Sequence, residues 1–217
     1  MIKEHEKKIK QIVECIKNNR IQEIDEKFGN GPELYFYKKV INLRNGSKNI
    51  ESFLRDERNL EIVYATLVAW GMNSQAAKMK YFDEFKANIL SCKKEIEQLE
   101  SFWENGNIDM EEMNCCLRET YEKLHLMKGK AKLVSNSKLL HFLFPEKLMP
   151  MDGKHTLHYF NAGESVNKYL EIIEFSFEIM DMEDNWQKYL SGDWNTTVPK
   201  MIDNAIILLV GKSACYT

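Results

Sequence analysis

Apolar residues recur three and four positions apart along most of the chain, and no stretch alternates as a half-buried strand would. Ile9, Ile12, Val13 and Ile16 form one stripe within residues 2–19, with Lys and Glu on the remaining positions. The run Phe28-Gly-Asn-Gly-Pro32 interrupts that pattern. Pro32, whose φ suits a first helical turn, should open a helix over 32–43. Asn45-Gly46-Ser47 breaks the chain again, and a short piece near 49–56 follows. Leu60 to Gly71 is then apolar almost all round, the mark of a central core element. Phe82, Phe85, Ile89, Cys92, Ile96, Leu99 and Phe102 predict one long amphipathic helix over 79–104, packed inside a bundle. Asp109 is placed to cap a helix reaching Leu126. Further helices are expected over 131–144, over a short stretch at 153–160, over 165–181, and from Pro199 to Val210.

With 44% hydrophobic and 29% charged residues, the 217-residue chain has ample surface to bury and is not a disordered sequence. The expectation is all-α: one globular domain spanning 1–217, about eight or nine helices, with room for a division into two helical lobes. No apolar run approaches the roughly 20 residues of a membrane span. The N-terminus, MIKEHEKKIKQIVECIK, mixes charge with isolated Ile and does not read as a signal peptide. Five cysteines lie scattered with no C-x-x-C pair, which points to a reducing cytoplasm and away from structural zinc. No cofactor is expected.

A net charge of −3 gives no global argument for nucleic acid, but its distribution does. From Lys128 to Phe160 six lysines stand against Glu146 and Asp152, with His141, His155 and His158 in addition. From Glu164 to Asp184 seven acids stand against Lys168. The acid row Glu171, Glu174, Glu178 and Asp181 falls on a polar helix face, where it is either solvated or answers a basic segment of a second copy.

The basic half contains P-E-K-L-M-P-M-D-G-K-H-T-L-H, residues 145–158, which holds two of the four prolines. Pro145 should stop one helix, and Pro150 should hold Met149 extended. Asp152 should cap the next helix by accepting from the backbone N–H of Lys154 or His155. A linker and a cap explain the stretch without any chemistry. Asp152, His155 and His158 share a helix face, but the spacing lacks the glutamate and register of H-E-x-x-H, and no metal site is predicted.

V-S-N-S-K-L-L-H (134–141) followed by P-M-D-G-K-H-T-L-H (150–158) resembles the helix-hairpin-helix DNA glycosylases, as does L-V-A-W-G-M-N-S-Q (67–75) upstream. In that superfamily a G-φ-G-x-K-T-A hairpin opens a helix and a P-V-D-x-H-φ segment follows. Ser135 and Ser137 stand near the hairpin glycine positions, with Asn136 between them able to take a left-handed backbone. The resemblance implies a glycosylase-like helical fold, with Lys138 as attacking amine and Asp152 as the carboxylate that aids base excision. Lys128, Lys130, Lys132, Asn136, Lys154 and His155 would contact DNA or RNA. W-G-M-N, N-S-K-x-L-H and P-x-D-x-x-x-T are also similar to segments of an uncharacterised family of microbial proteins, which brings no activity with it. The competing reading is a non-enzymatic helical interaction module in which the charge asymmetry drives homo-oligomer formation.

Overall fold

The structure is a computed structural model that describes residues 2–74, 78–104, 109–191 and 193–213. Among these residues the architecture is all-α. The helices are α1 (Ile2–Lys17), α2 (Glu23–Phe28), α3 (Pro32–Asn45), α4 (Ile50–Arg55), α5 (Glu57–Leu67) and α6 (Phe82–Ser91). They continue as α7 (Lys93–Glu104), α8 (Met110–Lys123), α9 (Leu133–Leu143), α10 (Thr156–Phe160), α11 (Val166–Met180) and α12 (Val198–Ser213). Extended pairing is confined, among the described residues, to isolated bridges between Met79 and Met127 and between Ser191 and Asn195. Among the described residues no helix is long and apolar enough to cross a membrane.

Among the described residues there are twelve α-helices, more than the expected eight or nine, and two of the additional ones have plain physical reasons. A helix as short as α2 has too few turns to show a period. The 79–104 segment is two helices, broken at Cys92, whose φ of −98° and ψ of 9° leave the helical region. The apolar stripe survives the break because Phe85 and Ile89 before it, and Ile96 and Leu99 after it, all enter the same core. Periodicity reports the buried face and is blind to a one-residue kink that keeps that face in phase. Residues 78–80 are extended, pairing with 126–128 through Lys80 N–H to Leu126 O at 2.9 Å and Lys128 N–H to Lys78 O at 2.8 Å.

Asp109 starts α8 by accepting from the N–H groups of Glu111 (3.0 Å) and Glu112 (3.2 Å). Asp109→Ala is expected to cost about 1 kcal/mol of stability, read as a lower urea midpoint at unchanged slope.

One set of packed apolar side chains runs from Ile9, Ile12 and Ile16 of α1 to Met201, Ile202 and Ile206 of α12. The helix at its centre is α9, buried at every position from Ser135 to Leu143. A helix buried all round must find partners for each polar side chain it carries. Ser135, Asn136, Ser137, Lys138 and His141 are therefore the residues that tie α9 to its surroundings.

Candidate functional site

Asp152 behaves as its sequence position suggests. Its Oδ1 accepts from the backbone N–H of Lys154 at 2.8 Å and of His155 at 3.0 Å. The turn it closes leads into α10 at Thr156, slightly later than expected. The cap also engages a side chain, since the Nδ1 of His155 lies 2.9 Å from the same oxygen. From the α9 side, Ser137 Oγ accepts from Met151 N–H at 3.1 Å and fixes the extended segment after Pro150.

Lys138 reaches the same place from the interior of α9. It is 7% exposed. Its Nζ donates to the carbonyl of Trp70 at 3.2 Å and lies 3.6 Å from the sulfur of Met72. That carbonyl is free because Val68–Met72 forms a π-helical turn, with Trp70 and Gly71 off helical geometry and Gly71 at φ 79°. Only glycine adopts that left-handed value without strain.

Lys138 and Asp152 line one cleft of about 350 Å³. Trp70, Trp194 and Phe28 supply aromatic walls, and Lys200 and Asp203 on α12 complete the polar part. Lys200 Nζ donates to Asp203 Oδ2 at 2.6 Å and to Asn204 Oδ1 at 2.8 Å, all three buried. Asn204 continues inward to Trp194 O and Asn195 Oδ1. Trp194 is held by Nε1 donating to Gly29 O at 3.0 Å and by its ring lying parallel to that of Tyr37, 6.2 Å away. Behind the wall, His141 Nδ1–H donates to Leu148 O at 2.8 Å, so its Nε2 accepts from the Tyr37 hydroxyl at 3.1 Å. Burial pushes His141 down to about 3, which fixes it as a neutral imidazole at ordinary pH.

The four charges of the cleft are set against one another. Burial lowers the Lys138 amine, an effect opposed by Asp152 and Asp203 and reinforced by Lys200. For Asp152, burial pushes upward, but Lys138 and the hydrogen bonds from His155 outweigh it and hold the carboxyl low. Asp203 is raised by burial despite Lys200 beside it. The arrangement therefore offers a readily ionised carboxylate and an amine that gives up its proton more easily than an ordinary lysine. Those are the components of nucleophilic and electrostatic catalysis.

Of the residues expected at a site, Lys138, Asp152 and His155 line the cleft, and Lys154 is exposed beside it, its N–H on Asp152. Lys128 and Lys130 are exposed and do not line this cleft. Lys132 is half-buried, its Nζ on Glu122 O at 2.7 Å and near His125. Asn136 is a correction. It is fully buried in a right-handed helix, with its amide donating to Tyr121 O and Leu124 O, and presents no surface to a phosphate. Val134 to Lys138, which the resemblance matches to a hairpin, lie inside α9, within the helix that periodicity predicts over 131–144. No family model, curated protein or solved structure matches the chain.

Lys200 and Asp203 are cleft residues that the sequence analysis does not name. The available signal was three polar side chains, Lys200, Asp203 and Asn204, in an otherwise apolar final helix. The acid row on α11 is engaged within the chain: Glu171 with Lys168 at 2.6 Å, Glu174 with Asn114 at 2.6 Å and Glu178 with His5 at 2.7 Å. Among the described residues no three His, Cys, Asp or Glu side chains come together as a metal set.

Proposed function

We propose that this protein binds nucleic acid and takes one unstacked nucleotide into the cleft, where Lys138 and Asp152 would act on its glycosidic bond. The observation that carries this reading is the placement of those two groups in one concave site with aromatic walls. Asp152, ionised, would stabilise positive charge developing on the sugar. Lys138, whose amine burial makes easier to deprotonate, would attack the anomeric carbon once its proton is lost; the new C–N bond forms as the base leaves with its electron pair and takes a proton. The likeness to helix-hairpin-helix glycosylases supports the reading through this Lys–Asp pair, not through the helical 134–137 segment.

Two measurements test it. Titration with labelled DNA and RNA oligonucleotides should show binding that weakens as salt is added, because phosphate contacts release counterions. An oligonucleotide carrying an abasic site, whose sugar presents an aldehyde, should become covalently attached in the presence of borohydride. The Lys138 amine condenses with the aldehyde, water leaves, and hydride reduces the imine. Absence of oligonucleotide binding even at low ionic strength overturns the proposal. Binding without a Lys138-dependent adduct removes the nucleophile and leaves a binding cleft.

A further inference from the structure

A second surface lies where residues 78–80 pair with 126–128. The two backbone hydrogen bonds hold these segments antiparallel, with Met79 and Met127 turned into the core and lysines on the outer positions. Lys78, Lys128 and Lys130 are exposed and Lys80 is half-buried. Among the described residues, none of these four comes within ion-pair distance of a carboxylate. Nearby Lys86 and Lys123 differ, being satisfied by Glu57 and Glu95 at 2.8 and 2.6 Å. Beside the unpaired lysines stands Tyr81, 70% exposed, with Lys128 Nζ 3.7 Å from its ring centroid. Positive charge without carboxylate partners beside an exposed ring is the surface chemistry by which single strands are held, phosphates on the cations and a base on the ring.

We infer that the paired 78–80 and 126–128 segments, with Tyr81, form a platform for a single nucleic-acid strand: Lys78, Lys80, Lys128 and Lys130 meet phosphates and Tyr81 stacks on a base. This rests on the proposed function, and it assigns the grip to residues outside α9. Each segment is joined by a short length of chain to an element that carries a cleft residue, 78–80 to the 68–72 turn and 126–128 to α9. Lys78 follows Met72 by six residues, a span of at most ~20 Å. Lys132, at the other end, precedes Lys138 by six residues, about 9 Å along α9. One strand laid on the platform therefore passes close enough to deliver a nucleotide to Lys138 and Asp152.

The test uses the full chain, a fluorescent single-stranded oligonucleotide and anisotropy between 50 and 200 mM salt. The K78E/K128E/K130E variant changes only exposed lysines and should keep the parent's circular dichroism. It should bind roughly tenfold or more weaker at the low-salt end, with the log–log salt slope reduced by about 2, as three lost single-strand phosphate contacts require. Tyr81→Ala should weaken binding several-fold at unchanged slope. If the variant keeps the parent's affinity and slope, the strand is held elsewhere; the platform is then wrong while the cleft reading stands. If the parent binds no oligonucleotide, both fall. If the lysines instead govern binding to phosphatidylserine vesicles and not to the oligonucleotide, the surface is a membrane contact and the inference is overturned.

Discussion

Lys138→Met is expected to yield a protein more stable than the parent and unable to form the borohydride-trapped adduct. Lys138 is buried with one carbonyl and one thioether for partners, and no carboxylate lies within ion-pair distance of its amine among the described residues. Holding a charge there costs free energy that a thioether chain of similar length avoids, so a gain of about 1 kcal/mol or more is expected at pH 7. The pH dependence has a definite sign. The folded-state pKa lies below the unfolded value of roughly 10.4, so between the two the unfolded chain binds the extra proton. Parent stability relative to the variant should therefore rise with pH through that window, and the penalty should be fully present below it. Urea unfolding of both proteins at pH 7 and pH 9.5 reads the difference. A variant less stable than the parent at pH 7 would mean that Lys138 is a structural strut. Stability gained at the expense of chemistry is the signature of a functional residue.

The sequence made some of this site readable and hid the rest, for separable reasons. Asp152 was legible because capping is local: an acid after a proline and before a helix has few other roles, and both predicted N–H donors find it. Lys138 was legible only through a resemblance, since a lysine among S-N-S-K gives no local sign of burial. Asn136 was misplaced because the resemblance puts it in a hairpin, whereas its amide satisfies two orphan carbonyls at the end of α8. Trp194 sits in a polar link whose composition says loop, yet its ring is fixed by contacts with residues more than 150 positions away. Lys200 and Asp203 follow the same rule: their pairing is local, but what makes it a site wall is the arrival of α9 and the 68–72 turn against them. Helices were legible wherever a single face is buried over several turns. The break at Cys92 was not, because the stripe continues through it.

Asp203→Ala should be the most destabilising single substitution in the cleft. It removes the carboxylate 2.6 Å from a Lys200 amine whose side chain is 5% exposed, leaving that charge with Asn204 and the faces of Trp70 and Trp194. Breaking a buried pair from one side typically costs about 3–5 kcal/mol, most of it the penalty of the stranded partner. Removing both partners is different. Lys200→Met with Asp203→Leu should lie within roughly 1–2 kcal/mol of the parent, because the desolvation penalty goes with the charges. Lys200→Met, Asp203→Leu and the variant carrying both form a cycle, measured by urea unfolding, in which strong non-additivity is the expected result. Additive losses would show that the pair contributes little and that packing against Trp70 and Trp194 dominates. The cleft should respond as well. Asp203 is one of two carboxylates that raise the Lys138 amine, so Asp203→Asn should lower that amine further and shift the pH profile of adduct formation to lower pH. A profile that stays in place would separate the α12 pair from the chemistry and confine it to holding the wall.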